Sequence, residues 1–134
     1  MALDLLLAAG PAIHIHLAST LTAFGLGLYI LLARPKGSRL HRRLGWAFVV
    51  LMLTAAFSSL WITDTNPGHY SAIHVLSIVT PVSLAIGVIS ARRHNVNLHR
   101  RFMVGIFLGA LVIAGIFTLL PQRLLGKMLL ASLS

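Results

Sequence analysis

The chain has 134 residues, enough for a single domain over 1–134, of which 57% are hydrophobic and only 10% charged, and its mean hydropathy is +0.91. A soluble domain carries about one charged residue in four, so composition excludes that class. Eleven Lys and Arg stand against only Asp4 and Asp64, a net charge of +9, and cysteine is absent, which removes disulfides, thiolate metal sites, iron–sulfur clusters and cysteine nucleophiles.

In chain order, the first ten residues lack the positive start of a cleavable signal peptide and carry Asp4. Ala2–Ala9 is apolar but too short to cross a bilayer, and Gly10-Pro11 breaks it, so an interfacial helix is expected over about 2–9. Four apolar runs follow, Ile13–Leu32, Leu44–Ile62, Ile73–Ser90 and Phe102–Leu120. Each is near the ~20 residues that span the hydrocarbon. Pro121 ends the last run; Leu124, Leu125, Met128 and Leu129 then fall at helical spacing beside Arg123 and Lys127, which predicts a second interfacial helix over about 122–131. The expected fold is all-α, an integral membrane four-helix bundle. Gly105 and Gly109 form a GxxxG, and Ala55 with Ser59 repeats small residues, both read as close-packing signals. Pro81 lies mid-span and predicts a kink.

A strongly basic chain can suggest nucleic acid, but nine of the eleven cations sit in two short clusters, Arg34–Arg43 and Arg92–Arg101, between the apolar runs. Lys and Arg resist translocation and mark cytoplasmic loops. The expected location is therefore a bacterial inner membrane, multi-pass, with both termini outside, the Thr63–Tyr70 loop outside, and no nucleic-acid partner.

The chain also repeats itself. Ala12-Ile13-His14 recurs as Ala72-Ile73-His74 at an offset of 60, and Leu40-His41-Arg42-Arg43 as Leu98-His99-Arg100-Arg101 at an offset of 58. The first motif opens the odd helices and the second the even ones. The bundle thus reads as two repeated helical hairpins related by an axis along the membrane normal.

The seven histidines sort by side: His14, His16, His69 and His74 near the outer face, His41, His94 and His99 near the inner face, none mid-span. Under the repeat, His14 faces His74 and His41 faces His99, each pair from diagonally opposite helices. Such pairs suit bis-histidine haem, with Arg42 and Arg100 beside them for the propionates. His16 rivals His14, since residues two apart on a helix point apart. The same set, His14, His16, His74, His41 and His99, suits another metal such as zinc, copper or nickel, with Asp64 the one carboxylate within reach. The third alternative is that these are solvated edge histidines with no ligand.

His41-Arg42-x-x-Gly45 and His99-Arg100-x-Phe102-Met103 resemble the HRxxGR and HRxWM signatures of a bacterial four-helix membrane family labelled domain of unknown function 2306. The resemblance runs from about Ile13 to Leu120. Trp46 stands where that family tends to have a second Arg, and Phe102 where it tends to have Trp. The family label implies no activity. Paired histidines at both faces are also similar, in architecture alone, to transmembrane di-haem cytochromes b.

Two functional expectations remain. One is a b-type haem protein for transmembrane electron transfer, with a quinone or another redox partner. The other is a non-catalytic accessory subunit or assembly factor of a larger respiratory or photosynthetic complex, with other membrane subunits and the lipid bilayer as partners. A channel or transporter fits less well, because the spans carry hydroxyls such as Thr22, Thr54, Ser77, Thr80 and Ser83 but no expected intramembrane ionisable group. A stand-alone hydrolytic enzyme fits less well still, because Asp4 and Asp64 are the only carboxylates and no Ser–His–acid arrangement can be argued from spacing.

Overall fold

Hydrocarbon offers no hydrogen bonds to a peptide group, so a chain this apolar is driven to satisfy its backbone within helices. The computed structural model describes residues 2–61, 72–121 and 124–134, and every regular element among them is helical. They are α1 (Ala2–Leu7), α2 (Pro11–Leu32), α3 (Arg39–Ser59), α4 (Ala72–Arg92), α5 (Val96–Ile106), a π-helical stretch at Phe107–Ile113, α6 (Ala114–Thr118) and α7 (Leu124–Leu133). Four stretches are long and apolar enough to cross a membrane: Pro11–Leu32, Arg39–Ser59, His74–Arg92 and Val96–Thr118.

The second and fourth spans begin earlier than their apolar runs. Expected starts were Leu44 and Phe102, whereas the helices begin at Arg39 and Val96. Caps explain this. The Ser38 hydroxyl accepts the His41 backbone N–H at 3.2 Å, and the Asn95 side chain accepts that of Leu98 at 3.2 Å, each satisfying one orphan donor of a first turn. The basic repeats are therefore helical turns rather than loops. Cations there oppose the helix dipole, a local cost that their role at the membrane edge offsets.

The other ends have equally local causes. Pro11 opens α2 at a position where its missing N–H costs nothing. The Lys36 ammonium donates to the Ile30 carbonyl and, at 2.8 Å, to that of Leu31, capping α2 before Gly37 turns the chain with φ +79°. Helix α4 continues through Pro81 and ends in a Schellman motif. His94 takes φ 58°, its N–H reaches the Ala91 carbonyl at 3.1 Å, and the Asn95 N–H reaches Ser90 at 2.9 Å. His94, grouped by sequence with the inner histidines, is an exposed helix cap.

Helix α2 packs on α3, α3 on α4, α4 on α5, and the π stretch returns to α2. The order around the bundle makes α2 and α4 one diagonal and α3 and α5 the other. The two hairpins thus form a four-helix bundle with a basic end, at the α2–α3 and α4–α5 turns, and a far end, where α1 packs against α7. Ala23, Phe48, Val49, Met52, Leu84, Ile106, Phe107 and Leu111 form the core, with Leu84 1% exposed.

Close approach in this core is set by glycines other than the GxxxG pair. A Cβ on Gly27 would lie 2.8 Å from the Phe107 ring and 2.9 Å from the Phe48 ring, and one on Gly87 would lie 2.7 Å from the Met103 methyl. Phe107 also stacks on Phe24, centroids 5.6 Å apart. Gly105 and Gly109 instead have open space where a Cβ would go and line an outward groove with Val79, Ser83 and Phe102. The GxxxG therefore does not pack the bundle, because α5 turns that face away from α2 and α3. Gly27→Leu should lower stability by about 1–3 kcal/mol, since both rings it meets are fixed in the core. Gly105→Ala should leave the thermal unfolding midpoint of the detergent-solubilised protein nearly unchanged.

Candidate functional site

The polar side chains that can do chemistry gather at two places. At the basic end, the capped first turns of α3 and α5 bring His41 and His99 together across the bundle diagonal. Their ring centroids lie 6.4 Å apart with the planes at 74°. His99 Nδ1 is 2.9 Å from the Gly87 carbonyl of α4. A carbonyl only accepts, so Nδ1 carries the proton, and in the neutral ring Nε2 keeps a lone pair. Gly87 permits this contact, because its bare face is also where the Met103 side chain of α5 packs. Both histidines are half-buried, while Arg42, Arg43, Arg100 and Arg101 are exposed around them.

The basic end is knit by cations. Arg92 lies over the Trp46 ring, 5.8 Å from its centroid, a cation–π contact between α4 and α3. Trp46, the residue that departs from the family pattern, therefore has a local partner. Lys36 titrates below the ordinary lysine range, first because its ammonium is partly desolvated and then because Arg34 and Arg100 repel its charge.

At the far end the rivalry between His14 and His16 is resolved by packing. His14 is exposed, and its Nε2–H donates to the Leu6 carbonyl of α1 at 2.6 Å. His16 is half-buried, and its Nδ1–H donates to the Ala55 carbonyl of α3 at 2.8 Å, with the Ser58 hydroxyl 3.4 Å away. His16 is thus the residue that faces the interior, inside the first span. The expectation of spans without an ionisable group changes accordingly, since His16, His41 and His99 all lie within them. His74, in the first turn of α4, is half-buried. Among the described residues no three His, Asp or Glu side chains gather closely enough to hold a metal ion, with His14 turned away toward α1. Asp64, His69 and the expected outer loop Thr63–Tyr70 lie outside the described residues.

Beside His16 is a cavity of about 260 Å³ between all four spans. His16, Thr20, Ser59, Ser77, Thr80 and Thr118 supply its polar lining. The π stretch borders it through Ala110 and Leu111; a π turn adds a residue to the coil, and such bulges recur at functional sites. Ser77 and Thr80 are among the expected span hydroxyls, whereas Ser59 is expected only as a small packing residue and Thr20 and Thr118 are not singled out. Thr22 and Thr54 belong to the same expected set, and both are exposed. The only signal was the i, i+3 spacing of Ser77 and Thr80 on one face of α4, which by itself does not say what that face meets.

The model of the family described as "Predicted membrane protein (DUF2306)" matches residues 12–132. No curated protein and no solved structure matches the chain. The hydrogen bonds assign opposite tautomers: protons on Nδ1 of His16 and His99, and on Nε2 of His14. Long-range ¹H–¹⁵N correlation of ¹⁵N-histidine-labelled protein above the imidazole titration range should show two Nδ1-protonated rings that disappear in His16→Ala and His99→Ala, and one Nε2-protonated ring that disappears in His14→Ala.

Proposed function

We infer that this chain, which belongs to the DUF2306 family of membrane proteins, is a redox carrier of the bilayer that holds b-type haem between His41 and His99. The observation that carries this reading is the facing pair at the basic end. Two imidazoles that share one metal ion, each bound at about 2 Å, must stand with their rings within several ångströms of each other. The rings of His41 and His99 lie at 6.4 Å. The donor chemistry also fits. The Nδ1–H of His99 is bound to a backbone carbonyl, the contact that fixes tautomer and ring orientation in metal-ligating histidines and leaves Nε2 for the iron. Bound haem would supply one-electron transfer.

The remaining roles belong to the chain itself. Ser38 and Asn95 start the helices early enough to carry both histidines. Gly87 sets the α4–α5 approach and offers its carbonyl. Arg42 and Arg100, each next in sequence to a histidine, would pair with propionates in bidentate fashion. His14 and His16 are left out of this ligand set, the first bonded to α1 and the second facing the far cavity. A quinone or a protein redox partner would exchange the electrons. Following the arginine distribution, the basic end lies in the cytoplasm of a bacterial cell and both termini lie outside.

One observation favours a second reading, an accessory subunit of a larger membrane complex. The groove of about 430 Å³ that contains Gly105, Gly109 and Ser83 is unfilled by the chain itself, and small residues on an outward helix face admit close approach by another helix.

A reduced-minus-oxidised visible spectrum of protein purified from haem-sufficient cells decides between them. Sharp b-type bands, lost in His99→Ala and in His41→Ala, are expected; a colourless protein that brings partner subunits with it would establish the second reading instead. Topology is checked separately in the cysteine-free chain. A cysteine at Arg42 or Arg100 should react only after the inner membrane is permeabilised, whereas one at Ser134 should react in intact spheroplasts.

A further inference from the structure

We propose that the outward groove between α4 and α5 seats one anionic glycerophospholipid, with its phosphate on Arg101 and an acyl chain along Gly105 and Gly109. Such a site lies apart from the histidine pair and needs no haem to be read. A lipid and a second helix exclude each other there, so it competes with the accessory-subunit reading.

The polar wall of the groove is Thr80, Ser83 and Arg101. Elsewhere in the spans, hydroxyls such as those of Ser19, Thr20, Thr54 and Ser90 return their protons to a carbonyl one turn back. Thr80 and Ser83 do not, and among the described residues neither hydroxyl has a hydrogen-bond partner. Thr80 is only 5% exposed, and it lines both this groove and the interior cavity. A buried hydroxyl without a partner costs free energy, and the hydrocarbon supplies no water to relieve it. Arg101 lacks an anion as well. Asp4, in α1 at the far end, carries the one carboxylate side chain among the described residues. The groove therefore presents a guanidinium and two uncommitted hydroxyls, and a ligand that matches it brings acceptors, one of them charged.

Spacing narrows the class. Arg101 stands in the second turn of α5, whereas Ser83 and Thr80 lie roughly 6 and 10 Å deeper along the antiparallel α4, at about 1.5 Å per residue. Gly105 and Gly109 leave open space where a Cβ would stand, and Leu76, Val79 and Phe102 make the rest of the wall apolar. From the basic end inward the order is cation, hydroxyls, apolar trough. A glycerophospholipid has the complementary order of phosphate, ester carbonyls and chain. A free fatty acid would reach Arg101 with its carboxylate but lay methylenes against both hydroxyls. An apolar helix face would bury all three donor groups without acceptors. A zwitterionic lipid would add a cation to an end where Lys36, Arg92, Arg93 and Arg100 already gather.

The test is native mass spectrometry of the delipidated full-length protein in neutral detergent, titrated with phosphatidylglycerol and with phosphatidylcholine of the same chains. One phosphatidylglycerol should bind at least about tenfold more tightly, the scale of a hydrogen bond to a charged group. Arg101→Gln should erase that preference, and Ser83→Ala should weaken phosphatidylglycerol binding about fivefold. Gly105→Leu, which fills the trough, should abolish the bound lipid. Arg93→Gln, which removes an exposed charge of the same end outside the groove, should leave the preference intact. Equal affinity for the two lipids, or equal losses in Arg93→Gln and Arg101→Gln, would mean diffuse attraction to the basic end and would overturn the proposal. So would displacement of the lipid by an equal concentration of glycerol phosphate, or a second protein chain that is held by the wild type and released by Gly105→Leu. If Gly105→Leu does not fold, the exposed-site pair Arg101→Gln and Arg93→Gln decides.

Discussion

Hydrocarbon cannot accept a proton in a hydrogen bond, and nearly every feature of this protein answers to that fact. It makes the spans helical, since a helix satisfies its own backbone. It also governs the side chains. Ser19, Thr20, Thr22, Thr54, Ser58, Ser59, Ser90 and Thr118 all return their hydroxyl protons to a carbonyl one turn back. The ring protons of His16 and His99 do the same across a helix boundary, to Ala55 and Gly87. A carbonyl has two lone pairs, so a residue already in a helical ladder can accept such a second bond. The consequence is directional. Where the protons are turned to backbone, acceptor capacity remains on hydroxyl oxygens and, in the neutral rings of His16 and His99, on imidazole Nε2.

The same accounting shows which parts were legible in advance. The four spans could be read because an apolar run of about 20 residues has few other uses, and the family resemblance rested on the basic motifs. Their starts were misplaced because His41-Arg42-Arg43 and His99-Arg100-Arg101 look like loop composition. Only the caps at Ser38 and Asn95, each a single polar residue, draw these turns into the helices. The duplication pointed to α3 and α5 as a diagonal and to His41 and His99 as facing residues, and their rings meet there. The far end followed a different rule. The repeated Ala-Ile-His matched His14 with His74, yet it is His16 that turns inward. Residues two apart on a helix differ by about 200° in direction, so one residue faces the bundle only if the other leaves it. The docking of α1, whose Leu6 carbonyl holds His14, is part of that choice, and no repeat announces it.

The interior cavity was illegible for a further reason. Its walls come from all four spans, and the π stretch at Phe107–Ile113 shifts the register of the last one. A period of 3.6 residues, applied across that stretch, misplaces every residue after it relative to α5. Thr118 and Ala114, which line the cavity, lie beyond the shift. The GxxxG failed as a packing signal in a related way. Small residues permit close approach without saying from which side, and here Gly27 and Gly87 meet neighbouring side chains while Gly105 and Gly109 do not.

The two ends of the bundle differ in the charge they can hold. Around His41 and His99 stand Arg42, Arg43, Arg100 and Arg101, and Lys36 already titrates low because its neighbours are cations. An anionic group is favoured there. Around His16 no Lys, Arg, Asp or Glu lines the cavity, and its polar wall is made of hydroxyls and one imidazole. A group bearing carboxylates suits the first environment, and a neutral, largely apolar one the second. The two ends differ in this respect because the repeated Leu-His-Arg-Arg motif puts cations at one end of both hairpins. Separation along the bundle keeps the arginines out of the cavity lined by His16.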